Sequence, residues 1–229
     1  MRDYVPEKPL ISIHIPKSGG TSYQSALRMW FGERLHLHYF DEKNKRMPRK
    51  TKLKRGILFK RCIPNLCIHG HFNPKRRFGV FDYYPDVDQF LTVVRNPVEL
   101  HLSNYFHVKR NLRNAESWRD GKAYNLPFKD VDDYLMNTNS FMLQFFPWDM
   151  TLEDFQDTLQ RHFVHVGTTS NLQKSVDIFA DRLGKKTVSV PVKNVSPRDE
   201  VPSRSAIDAF RERHRVECAI YEYAVELNK

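Results

Sequence analysis

No run of about 18 apolar residues occurs in the sequence, so nothing in it reads as a membrane span. The first residues, Met1 to Pro9, carry charges and prolines where a signal peptide needs an apolar centre, and the chain is therefore expected to be cytoplasmic. Cysteine is scarce. Cys62, Cys67 and Cys218 cannot all pair with one another, and their spacing fits neither a zinc site nor a CxxC redox motif, so buried reduced thiols are expected. Acidic side chains are also outnumbered, 27 Asp plus Glu against 37 Lys plus Arg, which gives a formal charge of +10. That excess favours anionic partners such as nucleotides, sulfated or uronic glycans, nucleic acid or lipid head groups, and does not choose among them.

A length of 229 residues fits one domain, and 40% hydrophobic content with 13% aromatics excludes a mainly disordered chain. Leu10 to Ile15 reads as a strand followed by a loop, Pro16 to Gly20, and a helix from Thr21 to Phe31. Leu66 to His69 and Phe90 to Val94 are further strands, the second leading into a helix that reaches about Lys109, with Asn96 as N-cap and Pro97 at the first helical position. Beyond Asn111 the pattern turns mostly helical, over Val131 to Phe146, Leu152 to Arg161, Asn171 to Leu183 and Ile207 to Leu227. The expected fold class is α/β: a P-loop-like central parallel sheet flanked by helices, with a mostly helical C-terminal half and ligands beyond the C-terminal strand ends. Residues 41–61 look like an exposed basic insertion, since Lys43 to Arg61 holds ten basic residues and no acidic one. Pro191 to Ser205 reads as a loop.

Three constellations carry chemistry. Pro16-Lys17-Ser18-Gly19-Gly20-Thr21-Ser22 joins a strand to a helix, so its glycines allow backbone N–H groups to approach an anion at the positive helix end. The lysine precedes the glycines, so this is not a Walker A loop. Arg95-Asn96-Pro97 follows a strand, with Ser103 eight residues after the arginine. His69-Gly70-His71 ends another strand; a pair of this kind can cap, pack, catalyse or bind zinc, and no further ligands at suggestive spacing lie nearby.

The stretch IHIPKSGGTS resembles the 5′-phosphosulfate loop of sulfotransferases that use 3′-phosphoadenosine 5′-phosphosulfate (PAPS), especially the heparan 2-O-sulfotransferase-like carbohydrate branch. VVRNPVELHLSNYFH is similar to that family's 3′-phosphate motif, with Leu100 where many members carry a second arginine, and CIHGHF to its His-Gly-His segment. Looser matches are Val166 to Thr169, Ser175 to Gly184, and Asn194-Val195-Ser196. The resemblance implies PAPS held by Lys17, Ser18, Gly19, Gly20, Thr21 and Ser22 at its 5′ end and by Arg95 and Ser103 at its 3′-phosphate. No metal is needed. Lys17 would stabilise the leaving phosphate, His71 would act as base, and His69 would orient the acceptor or support His71. The acceptor is expected to be a hydroxyl on an anionic glycan, bound partly by Lys50, Lys52, Lys54 and Arg55, with Lys75, Arg76 and Arg77 extending the track. A homodimer is the default expectation, and no nucleic-acid partner is expected. Two other readings share some of these features: a P-loop kinase or nucleotide hydrolase, and a nucleic-acid-binding module that works through the basic run.

Overall fold

The computed structural model describes residues 1–54, 62–116, 127–191 and 198–229. Its centre is a five-stranded parallel sheet in the order β2-β3-β1-β4-β5, formed by β1 (Leu10–Ile13), β2 (Leu35–His38), β3 (Cys67–Gly70), β4 (Gln89–Val94) and β5 (Phe163–Thr168). β1, β3, β4 and β5 are buried throughout their length, which is why they read as short apolar or β-branched runs with helices on both faces. Helix α1 (Gly20–Phe31) follows β1, α2 (Val80–Tyr83) precedes β4, and α3 (Pro97–Glu116) leaves β4. The Asn96 side chain accepts a hydrogen bond from the Glu99 N–H at 3.2 Å, so α3 begins with the cap and first-turn proline that its sequence predicts. The α/β architecture is as expected.

The C-terminal half differs in detail. Two strands carried no clear signal: β2, an edge strand with exposed His36 and Leu37, and β5, whose apolar run is interrupted by His165. The helix expected over Val131 to Phe146 stops early, as α4 (Val131–Asn137), and a short 3-10 turn follows at Leu143–Phe145. Its continuation is prevented by Glu217, whose Oε1 accepts hydrogen bonds from the N–H groups of Phe141, Met142 and Leu143 and from the Ser140 hydroxyl at 2.7 to 3.2 Å. The closing helix expected over Ile207 to Leu227 is two helices, α7 (Arg204–Arg213) and α8 (Arg215–Leu227). They part at His214, whose φ of -112° and ψ of 36° leave the helical region while its ring packs against Phe210 and His101. The remaining helices are α5 (Phe155–His162) and α6 (Leu172–Leu183). All three cysteines are free, but only Cys67 is buried; Cys62 and Cys218 are half-buried.

Among the described residues no helix is long and apolar enough to cross a membrane. Of the basic insertion, Thr51 and Leu53 are tied to the body: the Thr51 N–H donates to the Tyr84 hydroxyl at 3.1 Å, and Leu53 packs on the main core. Lys50, Lys52 and Lys54 are exposed. Arg55 to Arg61 lie outside the described residues.

Candidate functional site

In a parallel sheet every strand delivers its following residue to the same edge. Here those residues are His14 after β1, Tyr39 after β2, His71 after β3, Arg95 after β4 and Thr169 after β5. His14, His71, Arg95 and Thr169 line one cleft of about 1330 Å³, and Tyr39 reaches it through His14.

One wall of the cleft is the loop from Pro16 to Ser22. Gly19, at φ 68°, is the N-cap of α1, whose first turn has neither a side-chain cap nor an acidic residue, so its positive end is uncompensated from within. Lys17 is also left-handed, at φ 68°, and the two left-handed residues flank a buried Ser18 whose hydroxyl has no partner among the described residues. Left-handed backbone of this kind and an uncapped helix end suit a small anion. A Cβ on Gly20 would lie 1.6 Å from His14 Nε2, so glycine here leaves room for the His14 ring against the start of the helix. Thr21 is exposed in the cleft, whereas the Ser22 hydroxyl donates to the Pro191 carbonyl at 2.7 Å. Burial, with the Arg110 and Arg95 charges behind it, holds the Lys17 ammonium below its ordinary range.

The facing wall is α3. Glu99, Ser103, His107 and Arg110 recur at helical spacing along one side of it, and all four line the cleft. Arg95 donates through Nη1 to the Lys17 carbonyl at 3.1 Å and through Nη2 to Glu99 at 3.3 Å. Arg198 grips the same Glu99 carboxylate with both Nη atoms, at 3.1 and 2.6 Å, and those bonds hold the Glu99 carboxyl below the usual range. The third wall, Thr169 to Gln173 with Val190 and Pro191, comes from the start of α6 and the segment that passes over it.

At the floor, three imidazoles meet. His14 packs against His71 with ring centroids 4.4 Å apart and stacks on His69 at 5.2 Å, while His14 Nδ1 and the Tyr39 hydroxyl are 2.8 Å apart. His69 is fully buried, with Nδ1 2.9 Å from the Ser12 hydroxyl, and does not line the cleft. Of its two expected roles, only support for its neighbours is within reach. His71 does line the cleft; it is half-buried, and its Nε2 is buried without a partner among the described residues. Burial lowers the His71 pKa to about 4, and burial with the neighbouring His71 lowers that of His69 to about 3. Among the described residues no group of three or more His, Cys, Asp or Glu side chains is placed to hold a metal ion.

The cleft thus gathers Lys17, Gly19 to Ser22, His71, Arg95 and Ser103, whereas Ser18 is buried and does not line it. It does not gather the expected acceptor track: Lys50, Lys52, Lys54, Lys75, Arg76 and Arg77 are exposed and none lines the cleft. Arg76 is already engaged, 2.9 Å from Glu42 and 4.1 Å above the Phe40 ring. Arg55 and Asn194-Val195-Ser196 lie outside the described residues. His14, Tyr39, Glu99, His107, Arg110, Arg198 and Tyr221 were not expected; for Glu99, His107 and Arg110 the spacing from Arg95 and Ser103 along one helix was an available signal.

No protein-family model matches the chain, and no curated protein matches it. Among solved structures it is similar to a sulfotransferase from Alicyclobacillus acidocaldarius, at 14% identity and a TM-score of 0.46, over 96% of each chain. It is also similar to mouse sulfotransferase SULT7A1 complexed with PAP, at 15% identity and a TM-score of 0.41, over 94% of this chain and 67% of that one.

Proposed function

We propose that this chain is a PAPS-dependent sulfotransferase acting on a hydroxyl, and that the hydroxyl belongs to an anionic glycan. The observation that supports this reading is one cleft lined both by the loop around Lys17 and Gly19 to Ser22 and by Arg95 with Ser103 of α3, two groups of donors suited to anions. A nucleotide with a phosphate at each end of its ribose needs such a pair. The left-handed Lys17 and Gly19 backbone and the uncapped helix end fit the 5′ group, and Thr169 to Gln173 with Val190 and Pro191 offer a wall for the nucleoside.

PAPS, when bound, supplies a sulfuryl group on an activated phosphosulfate. Lys17 and the loop amides place positive charge where the departing phosphate gains negative charge, the kind of fixed electrostatic support that lowers a group-transfer barrier. His71, neutral at pH 7, accepts the acceptor's hydroxyl proton. His69 and Ser12 brace the rings from below, and His14 borders the same space.

Support for an anionic acceptor comes from His107 and Arg110, which line the cleft beyond Ser103, and from the cleft's size. Its volume of about 1330 Å³ exceeds the roughly 300 to 1,000 Å³ usual for one small ligand, so a second can enter. The exposed Lys50, Lys52 and Lys54 would then form an outer track for the rest of the polymer.

Calorimetry tests the cofactor. The desulfated product 3′-phosphoadenosine 5′-phosphate (PAP) should bind without divalent metal and far more tightly than ATP. Lys17→Ala should abolish turnover, and Arg95→Ala should weaken PAP binding by about 1.5 to 3 kcal/mol, the range for charge-assisted hydrogen bonds. Equal affinity for adenosine 5′-phosphosulfate, which lacks the 3′-phosphate, would contradict the roles of Arg95 and Ser103.

A further inference from the structure

A carboxylate inside an anion-binding cleft calls for a reason, because it repels the ligand the cleft is built to hold. Glu99 is that carboxylate, the only one among the described residues that line the cleft. Its surroundings supply the reason. Oε2 accepts from Arg95 Nη2 at 3.3 Å and from Arg198 Nη2 at 2.6 Å, while Oε1 accepts from Arg198 Nη1 at 3.1 Å. Two guanidiniums from distant parts of the chain, which would otherwise repel one another, are thereby fixed side by side.

Each guanidinium has five N–H donors in a rigid fork. Arg95 spends one on Glu99 and one on the Lys17 carbonyl at 3.1 Å, and Arg198 spends two on Glu99, so each bond also sets the direction of the donors that remain. The bond to Lys17 has a further effect. Lys17 holds a left-handed backbone conformation that L-residues other than glycine seldom adopt, and Arg95 clamps the carbonyl of that residue. The chain Arg198, Glu99, Arg95, Lys17 thus runs without a break from the α3 wall to the phosphosulfate loop.

We infer that Glu99 is a positioning residue: it holds Arg95 and Arg198 in the orientation that receives the 3′-phosphate and, through Arg95 and the Lys17 carbonyl, ties that recognition to the loop that holds the reacting end of the cofactor. The inference rests on the PAPS reading. It implies that the 3′-phosphate is read by a preorganised pair of arginines, and that Glu99 and Lys17 act on the nucleotide as one unit.

The test exploits a difference in sign. Were Glu99 merely a like charge near the ligand, Glu99→Gln would strengthen PAP binding; as a positioning residue, its loss weakens it. Calorimetry with PAP and with adenosine 5′-phosphate, on wild type and on Glu99→Gln, Glu99→Asp and Lys17→Ala proteins of matched thermal stability, separates the cases. The expected result is that Glu99→Gln loses about tenfold or more in PAP affinity, as for a lost charge-assisted contact, with adenosine 5′-phosphate affected far less. Glu99→Asp, which keeps the charge, should recover part of the loss. In the Glu99→Gln and Lys17→Ala double variant the losses should fall short of the product of the single effects, the mark of coupled residues. PAP binding that Glu99→Gln leaves unchanged or strengthens overturns the inference alone, as do strictly multiplicative losses. Wild-type protein that fails to bind PAP overturns the sulfotransferase reading itself.

Discussion

A histidine base must be neutral before it can take a proton, and burial, by lowering the His71 pKa to about 4, would secure this for the base proposed above. The acid limb of the pH–rate profile should accordingly lie near pH 4 to 5, below the ordinary imidazole value of about 6.5. The same burial makes the ring a weaker base, which on the proposed mechanism Lys17 and the loop amides would offset by stabilising the leaving group. His71→Ala should cut turnover by about 10² to 10⁴, the usual worth of a positioned base, and leave PAP affinity nearly unchanged. His14→Ala is the comparison to make, since that ring touches His71 and borders the same space; a loss confined to His14→Ala would move the base there. Lys17, His71 and Arg95 were legible in the sequence as cleft residues because each belongs to its own short motif that follows a strand. Tyr39 and Arg198 were not, because their partners His14 and Glu99 lie 25 and 99 positions away and only the folded sheet brings them together.

Secondary structure was legible where period and punctuation agreed, as in β1, α1, β4 and α3, and illegible where a single tertiary contact overrode the helical pattern. Glu217 is that contact. It lies on α8, is fully buried, and takes four hydrogen bonds on Oε1 from residues 140 to 143, with Oε2 3.6 Å from His101 Nε2. Those bonds replace the helical acceptors the segment would otherwise use, so the apolar periodicity of Val131 to Phe146 misleads. His214, beside the same carboxylate at 3.9 Å, marks the break between α7 and α8. Glu217→Ala would strand the buried Met142 N–H, at about 1 to 3 kcal/mol, and the partly buried Phe141 and Leu143 N–H groups and Ser140 hydroxyl at a smaller cost each. The expected loss is therefore about 2 kcal/mol or more, which lowers the melting temperature by about 4 °C or more in a chain of this size. Glu217→Gln keeps an accepting oxygen and should lose much less. A Glu217→Ala protein that melts within a degree or two of wild type would show that the 138–143 segment is held by other contacts.

At the scale of the whole molecule, the notable expenditure is on histidines kept uncharged. His38 and His165 have pKa values lowered to about 4 by burial, His69 to about 3 and His71 to about 4, and His14 is lowered as well by burial and by its two neighbouring imidazoles. They serve different regions: His38 stacks on Phe72 near the sheet edge, His165 lies under Asn228 on β5, and the other three form the floor of the cleft. In the unfolded chain each would titrate near its ordinary value of about 6.5. Between pH 6.5 and 4 the unfolded state therefore binds protons that the native state refuses, so stability is highest above pH 6.5 and falls as the pH drops through this window. Each refused proton steepens the fall by about 1.4 kcal/mol per pH unit. Carboxylates add to the loss only lower down, since Glu99 and Asp88 sit below their ordinary range and become protonated later. Urea unfolding at pH 7, 6, 5.5 and 5 should thus show a slope equivalent to more than two protons taken up per molecule unfolded between pH 6 and 5, well before carboxylates titrate. His165→Asn, which can keep a hydrogen bond to Asn228 without a titratable ring, should reduce that slope by about one proton. A slope below one proton in this window would mean that these rings are charged in the native protein, and would remove with it the argument that His71 is neutral and ready to act as a base.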